Sequence, residues 1–474
     1  MGAMTRHEKA ALADEDLLAF LGYKQEFKRA FKPLEVFGMA FSIVALMPSI
    51  ASSLVYALPY GGPVSLVWGW IVASVFVCCI ALAMAELAST APTSGGLYYW
   101  AWTFSPPRYR KILAWITGYA NTIGLIGGIA SVDWGFAIQI MAVATIGSGG
   151  TFVPTTGQLY AVYIAVLLSH AVVCSLATRV LARLQTVLFF GVLIALPAAT
   201  PKEYMNPASY VFGNFTNLSN YPNGFAFILA WLLPVWTING FDTGVHISEE
   251  ASNAATAVPW AIIGSATISG FLGSGMMIAL AFCMGQDTES ILGNEIGQPL
   301  ATIFFNSFGQ KATLGLWSLF VVAQWAMGSC IVLSASRQAF AFARDGAMPF
   351  SKILYRMNRY TETPVNTVWF CVSAAALLGL LSFAGMAAIG AIFSVSVIGL
   401  YTAYSVPIAA RVVFRDHNFK PGPFTLGPFS LPIRIVAVLF ITFMNIVFLF
   451  PSNLGPEADN MNYGASPVVF LHFI

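Results

Sequence analysis

Phe41-Ser-Ile-Val-Ala-Leu-Met-Pro-Ser-Ile-Ala-Ser-Ser-Leu54 and Trp236-Thr-Ile-Asn-Gly-Phe-Asp-Thr-Gly-Val-His246 are the two stretches on which the reading of this chain turns. Each lies in an apolar run long enough to cross a bilayer. In the first, Pro48 removes a backbone donor in mid-run, and Ser49, Ser52 and Ser53 follow at once. In the second, Asn239, Gly240, Asp242, Thr243 and Gly244 are poor helix formers set deep in apolar sequence. Broken backbone at membrane depth survives only inside protein or beside a cavity, because lipid cannot satisfy the freed polar groups. Both stretches therefore read as broken helices facing a protein interior.

The rest of the chain supplies the membrane. Of 474 residues, 58% are hydrophobic and 9% charged, and the mean hydropathy is +0.75. Soluble domains carry about 25% charged residues, so a soluble enzyme, a nucleic-acid binder and a disordered chain are excluded. Apolar runs fall near 36–58, 64–88, 112–146, 158–176, 180–199, 225–247, 258–284, 300–340, 366–383, 386–410 and 431–450, and a last one begins near Tyr463. They predict an all-α polytopic membrane protein of about twelve spans. The last run ends at Ile474, too short for a helix to cross about 30 Å of hydrocarbon, so the twelfth span is expected to be incomplete. The six cysteines lie in apolar runs without metal spacing, and neither a metal nor a cofactor is expected.

If the spans alternate, all Lys and Arg residues except Lys202 and Lys311 fall on one side. The positive-inside rule then places the N-terminus in the cytoplasm. The sequons at Asn214 and Asn217 fall in the fifth loop, on the outer side, as glycosylation requires.

The two breaks lie five spans apart, at matching places in a one-to-five and six-to-ten division. That arrangement points to an inverted repeat with a site at the bilayer midplane. Half-helix N-termini would offer N–H groups to an anion and half-helix C-termini carbonyls to a cation. The expected organisation is a cytoplasmic tail over 1–34, a first repeat over 35–200, an outer loop over 201–224, a second repeat over 225–415, and the remaining spans over 416–474.

Further stretches carry a family likeness. Glu86-Leu-Ala-Ser-Thr-Ala-Pro-Thr-Ser-Gly-Gly-Leu-Tyr-Tyr-Trp-Ala-Trp102 closes the second span, and Ile247-Ser-Glu-Glu-Ala-Ser-Asn-Ala-Ala-Thr-Ala-Val-Pro-Trp-Ala-Ile262 follows the sixth. Ser334-Ala-Ser-Arg-Gln-Ala-Phe-Ala-Phe-Ala-Arg-Asp-Gly-Ala-Met-Pro349 ends the eighth, with Thr363-Pro-Val365 beyond. Gly118-Tyr-Ala-Asn-Thr-Ile-Gly-Leu-Ile-Gly-Gly128, Ser131-Val-Asp-Trp-Gly-Phe136 and Asp287-Thr-Glu-Ser-Ile-Leu-Gly293 add to the pattern. From about Glu35 to Met461 the chain resembles the amino acid–polyamine–organocation permeases, in particular the fungal GABA/choline/amino-acid branch.

The resemblance implies a LeuT-like fold of ten core spans plus two, and proton-linked uptake at the plasma membrane of a small amine-bearing substrate. GABA or a related amino acid comes first; choline, polyamines and thiamine are the alternatives. It implies that Trp236 is a gating aromatic, that Asp242 senses the proton, and that Tyr119 lines the site. The chain departs from the family where Pro48-Ser49 replaces the first glycine of the span-1 signature. It departs again at Val192, where some members carry a lysine.

Ionisable groups inside the membrane are functional candidates by default. Here they are Glu86, Asp133 and Asp242, with His170 and His246. Desolvation favours the neutral acid and a nearby ammonium favours the carboxylate, so Asp242 can couple a proton to a cation; the plainer role is an N-terminal cap on the second half-helix. Asp133 is either a second coupling acid or a hydrogen-bonded core acid. The expected substrate-binding set is Ser49, Ile50, Ala51, Ser52, Ser53, Tyr119, Asn121, Trp236, Asn239, Gly240, Phe241 and Asp242. Glu86, Glu249, Glu250, Arg337 and Arg344 are the expected cytoplasmic gate, with solvated helix ends as the plainer reading. A non-transporting nutrient sensor on the same fold is the alternative of another class. The histidines are too scattered for a membrane enzyme, and Ser105-Pro-Pro-Arg-Tyr-Arg-Lys111 lacks the Gly-rich basic motif of major facilitators.

Overall fold

The computed structural model describes residues 6–27, 29, 31–176, 182–414, 420–451 and 454. The expected last span, from Tyr463, lies outside the described residues, as do Arg179 and Arg415. Among the described residues the fold is all-helical apart from one short strand pair, Tyr60–Gly61 against Thr216–Asn217. Among the described residues nine helices are long and apolar enough to cross a membrane. We number the apolar segments in chain order. Segments 1 to 4 are Pro33–Tyr56, Gly62–Thr90, Arg110–Gly147 and Thr156–Leu176. Segment 5 is Ala182–Ala199. Segment 6 is the shorter apolar helix Asn223–Thr237 with its continuation Thr243–His246. Segments 7 to 11 are Ala254–Cys283, Pro299–Arg344, Val365–Ala384, Ala387–Val413 and Gly427–Val447.

Segment 1 is broken, but not where Pro48 predicts. The turn of left-handed backbone falls at Ala45 (φ 38°, ψ 58°), between the half-helices Pro33–Val44 and Leu46–Ser53. Pro48 then sits in the first turn of the second half-helix, where a missing N–H costs nothing. In an unbroken helix its ring would press on the Val44 carbonyl. Instead that carbonyl is released and accepts the Ser49 hydroxyl at 2.7 Å. A left-handed residue with a Cβ costs about 1–2 kcal/mol, and the packing around the fully buried Ala45 must supply it.

Segment 6 breaks as expected. Leu232–Thr237 ends, Gly240 turns at φ +87°, and helix resumes at Thr243.

Small residues bring the segments together. Segments 3 and 10 cross at Gly124 and Gly399, where a Cβ on Gly124 would lie 2.6 Å from the Leu400 backbone nitrogen. In lipid, where apolar surface gives little drive to associate, such close approach is what packs helices. The run at 300–340 is not a single rod: Gly309 (φ 72°) separates a short lead-in helix from the long body of segment 8.

The N-terminal segment straps the Lys/Arg-rich end of the bundle. Phe31 pairs with Ala251 in a parallel bridge. Asp14 accepts the N–H groups of Asn253 (2.7 Å) and Ala254 (3.1 Å) at the start of segment 7.

Candidate functional site

The two breaks face each other. Ser53 and Thr237 share a hydroxyl hydrogen bond of 3.2 Å. A Cβ on Gly240 would stand 2.5 Å from Ile43 Cγ2. Beside this contact lies a small hollow lined by Ile43, Leu125, Gly128, Val132, Trp236, Asn239, Gly240, Thr243, Met327, Ile331, Ser396 and Leu400. Segments 1, 3, 6, 8 and 10 all contribute. The lining is apolar with a few placed polar groups, the usual make-up of a small-molecule site.

Trp236 packs on Phe393 (centroids 4.9 Å apart, rings tilted by 39°) and donates its indole N–H to Ser131 at 3.3 Å. Asn239 accepts the Tyr404 hydroxyl at 2.9 Å, while its own amide nitrogen is buried without a partner. In segment 1 the backbone from Ser49 onward is bonded within the helix, beginning with Ser49 N–H to the Ala45 carbonyl at 3.0 Å. The N–H groups without an intrahelical acceptor are those of Leu46 and Met47, at the start of the half-helix. They stand a turn earlier than the Ser49–Ser53 stretch expected from sequence. The hydroxyls of Ser49, Ser52 and Ser53 donate to carbonyls of Val44, Pro48 and Ser49, and these three residues, with Ile50 and Ala51, stand outside the hollow lining.

Asp242 is fully buried at the break, beside the Tyr404 hydroxyl. It makes no cap bond to the half-helix that follows. Its oxygen Oδ2 lies 3.3 Å from Nε2 of His246, one helical turn on. His246 Nδ1 is 3.1 Å from the Ser94 carbonyl, which can only accept, so Nδ1 carries a hydrogen. Nε2 is left facing Asp242 and the Asn121 amide nitrogen at 3.2 Å. Sequence reasoning noted His246 without pairing it to Asp242. The spacing of four residues was the available signal.

Other expected residues lie elsewhere. Tyr119 packs on Phe342 and Trp115 and donates to the Ala347 carbonyl at 3.0 Å, beyond the end of segment 8. Phe241 faces Tyr404 rather than the hollow. Glu86 is tied to the approach of segment 11, through Thr425 (3.1 Å), Leu426 N–H (3.2 Å), Ser430 (2.6 Å) and Arg434. Among the described residues it forms no ion pair with Arg337 or Arg344, which pair with Glu250 and Glu249.

Those others do pair. Arg344 holds Glu249 with two bonds of 2.9 and 3.0 Å, and Arg337 holds Glu250 at 2.9 Å. Glu249 also accepts the Ser94 N–H at 3.0 Å, which joins the ion pair to the carbonyl that holds His246. Tyr23 and Tyr98 both donate to Asp345, at 2.9 and 2.8 Å. Burial, and then the Asp345 carboxylate, push the Tyr23 phenol above its ordinary range.

Asn214 lies just before the short strand Thr216–Asn217, and Asn217 is in it, paired with Tyr60. Asn217 spends its amide on the Tyr221 carbonyl (2.7 Å) and on Asn223, whereas Asn214 makes one bond, to Thr216.

A multi-span helical bundle with two juxtaposed helix breaks beside a small hollow defines a membrane transporter. The amino acid permease family profile matches residues 31–473, and the chain belongs to that family. It is 40% identical over 462 residues to the GABA-specific permease of Saccharomyces cerevisiae, covering 95% of this chain and 81% of the relative. It is 37% identical over 458 residues to an uncharacterized amino-acid permease of Schizosaccharomyces pombe, covering 95% and 82%. It is 31% identical over 472 residues to amino-acid permease 2 of Neurospora crassa, covering 97% and 86%.

Proposed function

We propose that this permease imports GABA or a related amino acid together with a proton, by alternating access around the hollow between segments 1 and 6. The reading takes the bundle as a LeuT-like inverted repeat in the plasma membrane with its basic end in the cytoplasm. What carries it is the placement of Asp242: a fully buried acid at the segment-6 break, one turn from His246. The likeness to a GABA-specific permease supports the choice of substrate.

In this mechanism the substrate carboxylate meets the N–H groups of Leu46 and Met47, aided by the positive end of the half-helix. The ammonium meets the last carbonyls of Leu232–Thr237 and the side of Asn239. Asp242 takes a proton with His246 while the site is open outward and releases it when segment 6 moves. Trp236 covers the hollow. The Glu249–Arg344 and Glu250–Arg337 pairs hold the cytoplasmic end closed and part in the inward-open state.

Uptake of radiolabelled GABA in a permease-deficient cell, competed with choline, tests the proposal. Saturable uptake blocked by a protonophore and resistant to excess choline is expected. Choline-sensitive uptake without GABA transport would move the assignment to a cation permease of the same family. No uptake of either by a protein present at the surface would favour a sensor.

A further inference from the structure

A second buried acid–imidazole pair lies away from the breaks. Asp133 of segment 3 and His170 of segment 4 are both fully buried, with Nδ1 3.1 Å from Asp133 Oδ2. The other ring nitrogen, Nε2, is 2.9 Å from the Trp325 carbonyl of segment 8. A carbonyl only accepts, so Nε2 carries a hydrogen. Were that the pair's only proton, a bare Nδ1 would face an ionised carboxylate, two acceptors in contact. Moving the hydrogen to Nδ1 transfers the same conflict to the Trp325 carbonyl. Both contacts are satisfied only when the pair holds one proton more, as acid with neutral imidazole or carboxylate with imidazolium.

The surroundings require the same. Among the described residues no Lys or Arg forms an ion pair with Asp133, and its Oδ1 is buried without a hydrogen-bond partner. The titratable groups facing it are Tyr163 and Cys174 of segment 4. Tyr163 donates to the Ala375 carbonyl at 2.6 Å and Cys174 to the Ser329 carbonyl at 3.3 Å, so neither compensates the charge. Arg337, the nearest cation to act on Cys174, is engaged with Glu250. A net negative charge here would be a buried, unpaired carboxylate, which is costly. The space is built for the pair: a Cβ on Gly328 would come 2.3 Å from His170 Cε1 and 2.5 Å from Asp133 Oδ1. The Trp325 indole, bonded to Ser169 at 3.0 Å, adds a second tie between segments 8 and 4.

We propose that Asp133 and His170 hold one exchangeable proton between them, a second proton site separate from Asp242 and His246, which fastens segment 4 to segments 3 and 8. The inference needs no substrate and is tested on the purified full chain, so it stands or falls independently of the transport reading.

The test compares the thermal unfolding of wild type and Asp133→Asn in lipid nanodiscs across pH. The asparagine amide donates permanently to Nδ1 and mimics the protonated acid. The stability of wild type should change with pH more than that of Asp133→Asn, because only wild type has the shared proton to lose. Equal slopes for the two proteins would overturn the proposal. Should the variant not fold, nitrogen-15 NMR of histidine-labelled wild type decides, with the His170 signal assigned by its loss in His170→Gln. A ring protonated on both nitrogens, or an Nε2-protonated ring beside an Asp133 carboxyl whose carbon-13 shift is that of the neutral acid, supports the site; a singly protonated ring beside an ionised carboxylate overturns it.

Discussion

Ile43 and Gly240 meet where the two broken helices face each other, and nothing larger than glycine fits: a Cβ at position 240 would stand 2.5 Å from Ile43 Cγ2, on backbone at φ +87°. This contact fixes how closely segments 1 and 6 approach, and hence the shape of the hollow beside it.

Gly240→Ala therefore meets a collision and a backbone penalty of about 1–2 kcal/mol. Initial uptake rates, normalised to surface expression, should fall at least about tenfold, a loss near 1.4 kcal/mol. Adding Ile43→Ala should recover the steric part and leave the backbone part. Wild-type uptake by the single variant would mean that the breaks do not touch in the working protein.

Glu86→Gln should act on stability rather than on transport geometry. The change leaves Arg434 buried without its carboxylate partner, and breaking such a pair costs about 3–5 kcal/mol. A clear drop in melting temperature with an unchanged KM for the surviving protein is expected. A changed KM with normal stability would return Glu86 to the gate.

Glu249→Gln should loosen the basic end. It removes the charge from a doubly bonded, buried pair with Arg344 and weakens the bond to Ser94 N–H. A cysteine placed at Ser94, which is buried here, should react faster with a maleimide applied from the basic side. Unchanged labelling would show that the pair does not hold this end closed.

The spans were legible because lipid imposes a simple rule, apolar runs of sufficient length, and the helices of segments 1 to 11 follow the predicted runs within a few residues. The segment-6 break was legible because glycine, asparagine and aspartate mark it locally. The segment-1 break was legible in kind but misplaced. Proline announces itself in the sequence, whereas the strained residue is Ala45, an ordinary helix former whose left-handed turn is imposed by the packing around it. Pairs joined by folding alone were invisible: Asp133 and His170 meet only through segment packing, and Glu86 finds its partner in Arg434 near the far end of the chain. Tyr119, placed in the site by family likeness, instead bonds Ala347.

Asp242, at the segment-6 break whose Gly240 meets Ile43, is proposed to link the proton to the substrate. The most direct measurement is GABA transport by purified protein in proteoliposomes, wild type against Asp242→Asn, with and without an inward proton gradient. The amide mimics a permanently protonated acid, so the variant should retain GABA exchange across the membrane and lose gradient-driven accumulation. Accumulation by Asp242→Asn at the wild-type level would contradict the account.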